Sequence, residues 1–233
     1  VSVDKGDTWT KWTKGFPTVS TSDLKIHPRE QDLVIGTFGR AAFILDDIRP
    51  LREIALRGAE VTDATIYAFP TPDGIMASRR QASGTRFYAD GMFAGENRPS
   101  GAMISYWAKP ASKKDTAKIQ IFEGDECIRT LTQMPDSGIN RIQWRMDKKG
   151  MRSPGTPTPK AGARERGGIN VLHGNYEVVI TLGEQESRTS LEVLADPRLS
   201  ISTQAYQAAQ ERKVQLQDLT GKATMATDAL IES

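Results

Sequence analysis

Apolar and polar residues alternate in short runs along most of the chain, and the period changes only near its end. Lys118-Ile119-Gln120-Ile121 and Arg141-Ile142-Gln143-Trp144 place apolar side chains at every second position, the period of a strand with one buried face. Strands are expected at residues 103–109, 117–122, 127–131, 140–146, 176–182 and 187–193. Glu123-Gly124-Asp125-Glu126 and Gly183-Glu184-Gln185-Glu186 supply hairpin turns. Several short strands at this spacing predict a small β-sandwich over residues 101–195, with Trp144 as a core anchor.

Residues 1–57 carry a second set of short apolar runs. Leu33-Val34-Ile35-Gly36-Thr37 and Ala41-Ala42-Phe43-Ile44-Leu45 have strand length, and Phe38-Gly39-Arg40 supplies a tight turn between them. Further strands are expected from Trp9 to Lys14 and from Asp23 onward. Residues 58–100 read as a connector. Its Pro70-Thr71-Pro72-Asp73-Gly74 is turn chemistry, and Phe87, Tyr88, Met92 and Phe93 make it too apolar for a bare linker, so it is expected to lie across a neighbouring domain. From residue 196 the period becomes helical. Ser202 or Thr203 can cap the helix start. Ala205, Ala209, Leu216, Leu219, Ala223, Ala226 and Leu230 follow a four-three spacing that Arg212 interrupts. Gly221 is a place where this helix can divide. Packing against its own chain and contact with a partner or second copy are both open.

The first residues hold a motif. Ser2-Val3-Asp4-Lys5-Gly6-Asp7-Thr8-Trp9 reads Ser-x-Asp-x-Gly-x-Thr-Trp, the Asp-box of β-propeller blades. Asp4 can accept backbone amides across a hairpin turn, Gly6 can take positive φ, and Trp9 opens the next strand and packs between blades. A hairpin loop needs a strand before it, so the chain is expected to be the C-terminal portion of a longer protein. Asp46-Asp47 falls about one repeat of ~40–45 residues later, where a degenerate second box is expected.

These segments, with Gly101-Ala102-Met103-Ile104-Ser105-Tyr106-Trp107, Gly138-Ile139-Asn140-Arg141-Ile142-Gln143-Trp144 and Asp196-Pro197-Arg198, resemble the C-terminal part of bacterial Asp-box, or BNR-repeat, proteins with sortilin-like propellers, often named glycosyl hydrolases. The resemblance implies a mainly β fold. Residues 1–57 would be the last blade or blades of a propeller, and 58–100 a connector. Residues 101–195 would form an immunoglobulin-like β-sandwich of the flagellar hook-assembly type, and 196–233 a C-terminal helical segment. It further implies export to the periplasm, outer membrane or exterior, and upstream blades as the first partner.

Charge changes the picture in one place. The chain has 31 basic and 29 acidic residues, a net +2, which argues against a whole-chain footprint for nucleic acid. Residues 148–166, however, hold Lys148, Lys149, Arg152, Lys160, Arg164 and Arg166 against Glu165 alone. This Gly- and Pro-rich stretch reads as a long loop. It is either a contact for an acidic glycan, a nucleic acid or a partner protein, or a solvated insertion. No aromatic residue interleaves its charges, against a single-strand nucleic-acid groove. Cys127 is alone and reads as a small buried hydrophobe. Two histidines, His27 and His173, make a His-rich metal site unexpected. No apolar run reaches the ~18 residues of a membrane span.

The chemistry is sparse. Ser2, Asp4, Gly6, Thr8 and Trp9 are expected to be structural. Arg40 is a candidate groove contact. Asp46 and Asp47, pointing to opposite faces of a strand, make a poor acid–base couple. No catalytic residue, metal ligand or cofactor site is assigned. Two functions remain. One is a binding or scaffolding module for a glycan or protein at the cell envelope, with oligomerisation through the C-terminal helix open. The other is the non-catalytic portion of a sialidase-like glycoside hydrolase whose site lies mostly upstream. Upstream of these residues, a tyrosine–glutamate pair with a three-arginine cluster on inner strands would favour the second.

Overall fold

The apolar runs at residues 33–37 and 41–45 become paired strands in the computed structural model, which describes residues 1–12, 15–77, 98–110, 112–160 and 162–232. The fold is mainly β, with several sheets and a C-terminal helix. It forms two units. The first comprises residues 1–72, 103–142 and 175–191, and the second residues 73–102, 143–174 and 192–233.

In the first unit, β1 (Thr21–Ile26), β2 (Leu33–Thr37) and β3 (Ala42–Leu45) form an antiparallel sheet in that order. No residue of these three strands is buried, and every residue of β1 is exposed. Phe16 meets Phe43 edge-on, with ring centroids 5.0 Å apart. Residues 9–12 form no strand, contrary to expectation, and Thr13 and Lys14 lie outside the described residues. The degenerate box expected at Asp46-Asp47 is a strand-to-helix turn instead. Pro50, at the start of α1 (Arg49–Arg57), has the fixed φ that suits a first helical turn and lacks the N–H a continuing strand would pair. A short α2 (Ala59–Thr62) follows and buries Val61.

The expected connector is partly built into sheets. β4 (Ile66–Ala68) pairs antiparallel with β6, and β5 (Gly74–Ile75) pairs in parallel with the end of β13. The reason is apolar content: Ile66, Ala68 and Phe69 are buried. Phe87, Tyr88, Met92 and Phe93 lie outside the described residues.

All six strands expected between residues 101 and 195 are present. β6 (Ala102–Ala108) lies between β4 and β9 (Gly138–Trp144) in one sheet. In a second sheet, β7 (Ala117–Glu123) lies between β8 (Glu126–Gln133) and β12 (Gly174–Leu182), and β13 (Gln185–Leu194) flanks β12. Register puts Leu131, Ile119 and Ile180 in one row across β8, β7 and β12, and all three are buried. Side chains link the two sheets. Gln133 Nε2 donates to the Arg141 carbonyl at 3.4 Å, and the Ala68 N–H donates to Ser187 Oγ at 2.9 Å. Tyr106 donates its hydroxyl to Gln133 Oε1 at 3.0 Å, and burial pushes that hydroxyl up to about 12. Cys127 is exposed on β8 rather than buried. It stands on the solvent side of the strand, where Gln120 Nε2 reaches its sulfur at 3.4 Å.

In the second unit, Trp144 is fully buried as anticipated, its indole N–H donating to the Asp147 carbonyl at 2.9 Å. The expected long loop is partly a ladder: β10 (Asp147–Lys149) pairs antiparallel with β11 (Gly167–Asn170). Glycine permits it, since a Cβ on Gly150 would overlap the Gly167 carbonyl. Helix α3 (Thr203–Glu232) runs unbroken through Gly221. Gly221 is buried, and a Cβ there would come within 3.0 Å of Met151 Sδ. It is the close approach of Met151, not a helix break, that the glycine serves.

Candidate functional site

Three places carry the residues the sequence singled out. The first is the N-terminal turn. Lys5 and Gly6 have φ of 59° and 103°, and the turn is closed by reciprocal bonds between Val1 and Thr10, at 2.7 and 2.8 Å. Inside it, Asp4 collects donors. Thr8 gives both its hydroxyl and its backbone N–H, the latter at 3.0 Å, and the Ser2 hydroxyl donates at 2.7 Å. Ser2 Oγ in turn accepts the Gly6 N–H at 2.8 Å. These bonds, led by that of the Thr8 hydroxyl, hold the Asp4 carboxyl well below the usual carboxylate range. Trp9 opens no strand, contrary to expectation. Trp9 is 74% exposed, and its indole N–H folds back on the Gly6 carbonyl at 3.0 Å. All five motif residues therefore serve the turn itself.

The second place is the end of β3. Arg40 sits exposed in the turn between β2 and β3. Asp46 is half-buried, while Asp47 is buried in the left-handed region at φ 47°. Arg49 Nη1 donates to Asp47 Oδ1 at 2.7 Å and to the Glu30 carbonyl at 3.0 Å, and Nη2 donates to the Arg29 carbonyl at 3.0 Å. The Asp47 N–H donates to Asp32 Oδ1 at 2.8 Å, and Arg141 Nη2 of β9 donates to the Asp47 carbonyl at 2.6 Å. Asp47 Oδ2 and Gln31 Oε1 are buried without a hydrogen-bond partner. This cluster pins the β1–β3 sheet to β9. Asp47 is thus a buried anchor, where the sequence offers it only as half of a degenerate box. The spacing Asp47-x-Arg49 was the available signal, while Arg141, 94 residues away, had none.

Tyrosine–glutamate pairs also occur, and one, Tyr176 donating to Glu123 Oε1 at 3.4 Å, lies between β12 and β7. Tyr67 donates its hydroxyl to Glu53 Oε2 at 3.2 Å, and Arg57 Nε donates to the same oxygen at 2.7 Å. Arg57 also binds Glu60 at 3.0 Å. Burial first, then the Glu53 charge, raises the Tyr67 hydroxyl above its ordinary value. That is the wrong direction for a nucleophile, and both carboxylates already occupy the arginine. The arrangement staples α1 to β4.

The third place is the basic stretch, which the structure disperses. Lys149 Nζ pairs with Glu165 at 3.3 Å. Arg152 turns inward, donating to the Thr156 carbonyl and pairing with Asp228 of α3. Lys148 is half-buried, and Lys160, Arg164 and Arg166 are exposed. Of the six, Arg152 reaches α3 and Lys149 pairs within the stretch.

The docking of α3 was not visible in the sequence. Gln210 Nε2 donates to the Asn170 carbonyl at 2.8 Å, Gln217 Nε2 to the Lys149 carbonyl at 3.2 Å, and Thr224 Oγ1 to the Arg152 carbonyl at 2.7 Å. His173 and Tyr206 meet edge-on at 5.4 Å. The helix therefore packs through polar and small residues, and the four-three stripe, for which packing on its own chain and contact with a partner were both open, is exposed.

Among the described residues, no cluster of three or more His, Cys, Asp or Glu is arranged to hold a metal ion. Among them also, no helix is long and apolar enough to cross a membrane, which says nothing about strands. Comparison with protein-family models, curated proteins and solved structures finds no match to this chain.

Proposed function

We propose that this chain is a binding or scaffolding module, in which β1–β3 is a blade of an Asp-box propeller and residues 101–195 form an immunoglobulin-like sandwich that holds it. One observation carries the reading. An ordered Asp-box turn precedes a three-stranded antiparallel sheet, and none of that sheet's strand residues is buried. A sheet with so little cover is marginal by itself, whereas a propeller blade is covered on both faces by its neighbours. The sheet's cover would then be further blades of the same kind, and the assembled face would present the ligand site. The Asp47–Arg49–Arg141 cluster supports the holding role, because it joins the sheet to β9 through part-buried polar contacts. Export to the bacterial envelope, and a glycan or envelope protein as ligand, rest on the sequence resemblance.

Two assays on the protein test the proposal together. Saturable binding to members of a glycan array or to purified envelope proteins is expected, with no turnover of a fluorogenic sialoside panel. Turnover abolished by Tyr67→Phe or Glu53→Gln would overturn the reading in favour of a hydrolase. Binding to no array member and no envelope protein would overturn it as well.

A further inference from the structure

Helix α3 presents two faces of different chemistry. The face turned to the second unit carries Tyr206, Gln210, Gln217, Gly221, Thr224 and Asp228, all buried or half-buried. Roughly 130° around the helix, at 100° per residue, runs the stripe Ala205, Ala209, Arg212, Leu216, Leu219, Ala223, Ala226 and Leu230, every one exposed. Leu216 is 65% and Leu219 60% exposed. The steps between successive members alternate four and three without a break. That is a 3.5-residue repeat over four heptads, the pattern of a helix that pairs with another helix rather than with a sheet.

We propose that α3 is a dimerisation helix, and that its partner is α3 of a second copy of this chain, running antiparallel. Length and area fit a second copy. The stripe extends for roughly 39 Å at 1.5 Å per residue. Two such faces would remove roughly 1,400 Å² from water, within the roughly 1,200–2,000 Å² of a stable interface. Direction follows from Arg212. A parallel pair would set it in the seam against the partner's Arg212, two like charges at one level. An antiparallel pair centred between Leu216 and Leu219 sets each Arg212 against the partner's Ala223, whose short side chain leaves the guanidinium a path to water. The same register places Leu216 on the partner's Leu219, Ala209 on the partner's Ala226 and Ala205 on the partner's Leu230. Every layer then joins an a-type to a d-type position, and the large outer leucines meet alanines.

Sedimentation velocity and light scattering on the 233-residue chain test this. A species of twice the 25.6 kDa chain mass is expected, dissociating at ~1–10 μM. Leu216→Gln with Leu219→Gln, at two exposed positions where circular dichroism should be unchanged, is expected to weaken it at least ~100-fold. Arg212→Leu is expected to tighten it ~10-fold. Direction is read by cross-linking in a Cys127→Ser background. A mixture of Ala209→Cys and Ala226→Cys chains should form disulfide-linked dimers. Ala209→Cys alone should not, because its two copies would lie roughly 25 Å apart. Four results would each overturn the proposal: a monomer at 100-fold the expected dissociation constant, a dimer indifferent to the leucine pair, cross-linking of Ala209→Cys with itself, or a monomer whose α3 inserts into lipid vesicles.

Discussion

The β1–β3 sheet and the β7–β8–β12 strands use the same local grammar and reach different ends. Both are antiparallel, both turn on glycine, and both place apolar side chains in strands. Ile119, Ile180 and Leu131 are buried in one row. Leu24, Ile26 and Ile44 sit in paired strands just as regular, and all three are exposed. Pairing satisfies the backbone in both places. Only burial of side chains separates the two.

Hydrogen exchange should show the widest gap between them. Amides in β7 and β12 are expected to exchange only by global opening, at about 5–15 kcal/mol, and those of β1–β3 by local opening at roughly 0–2 kcal/mol. Equal protection in the two sheets, followed by mass spectrometry of the unmodified chain, would dissolve the comparison and with it the argument for missing cover.

Single truncations sharpen the same contrast. Ile180→Ala should cost about 2–5 kcal/mol in urea unfolding, as for a fully buried isoleucine. Ile44→Ala should stay within about 0.5 kcal/mol, because its side chain already meets water. A large loss at Ile44 would mean that β3 is covered in solution.

What the sequence made legible follows this division. The strands from residue 103 to 193 were readable because period-two alternation reflects a face that is in fact buried, as at Ile119 and Ile121. The turn from Ser2 to Trp9 was readable because its bonds are local. Three things were not. α1 was hidden because Ile48-Arg49-Pro50-Leu51 continues an apolar run, and only Pro50 speaks against a strand. β10 and β11 were hidden because glycine allows pairing without an apolar pattern. The docking face of α3 was hidden because it consists of glutamine, threonine and glycine reaching backbone carbonyls, while the apolar stripe that periodicity detects points elsewhere. Of the site, Asp47 could be found by its type, but Arg141 reaches it only through the tertiary fold.

The contact between the β1–β3 sheet and β9 has its own test. Arg141→Met keeps the apolar stem and removes the guanidinium that donates to the Asp47 carbonyl. It should cost about 1.5–3 kcal/mol, the range for hydrogen bonds involving a charged group. Arg188→Ala breaks exposed pairs with Glu177 and Glu186 and should cost far less, because solvent screens them. Urea denaturation of both variants compares them directly. Equal losses would remove the β3–β9 cluster from its holding role.

The smallest effect lies in the turn that opens the chain. Asp4 is held below its ordinary value of 3.8 by the Thr8 hydroxyl, the Thr8 N–H and the Ser2 hydroxyl, in that order. A depressed carboxyl contributes fully above its unfolded value and loses that contribution as pH falls through the folded one. The turn should therefore stay closed at pH 3.8 and open only below it. The indole N–H resonance of Trp9, bound to the Gly6 carbonyl, reports this in an acid titration by NMR. Its midpoint should lie under 3.8. Asp4→Asn should abolish the transition while leaving β7 and β12 protected, because the turn's bonds are all local to residues 1–10. A midpoint at or above 3.8 would mean that the carboxylate does not organise the turn, and that its local order has another source.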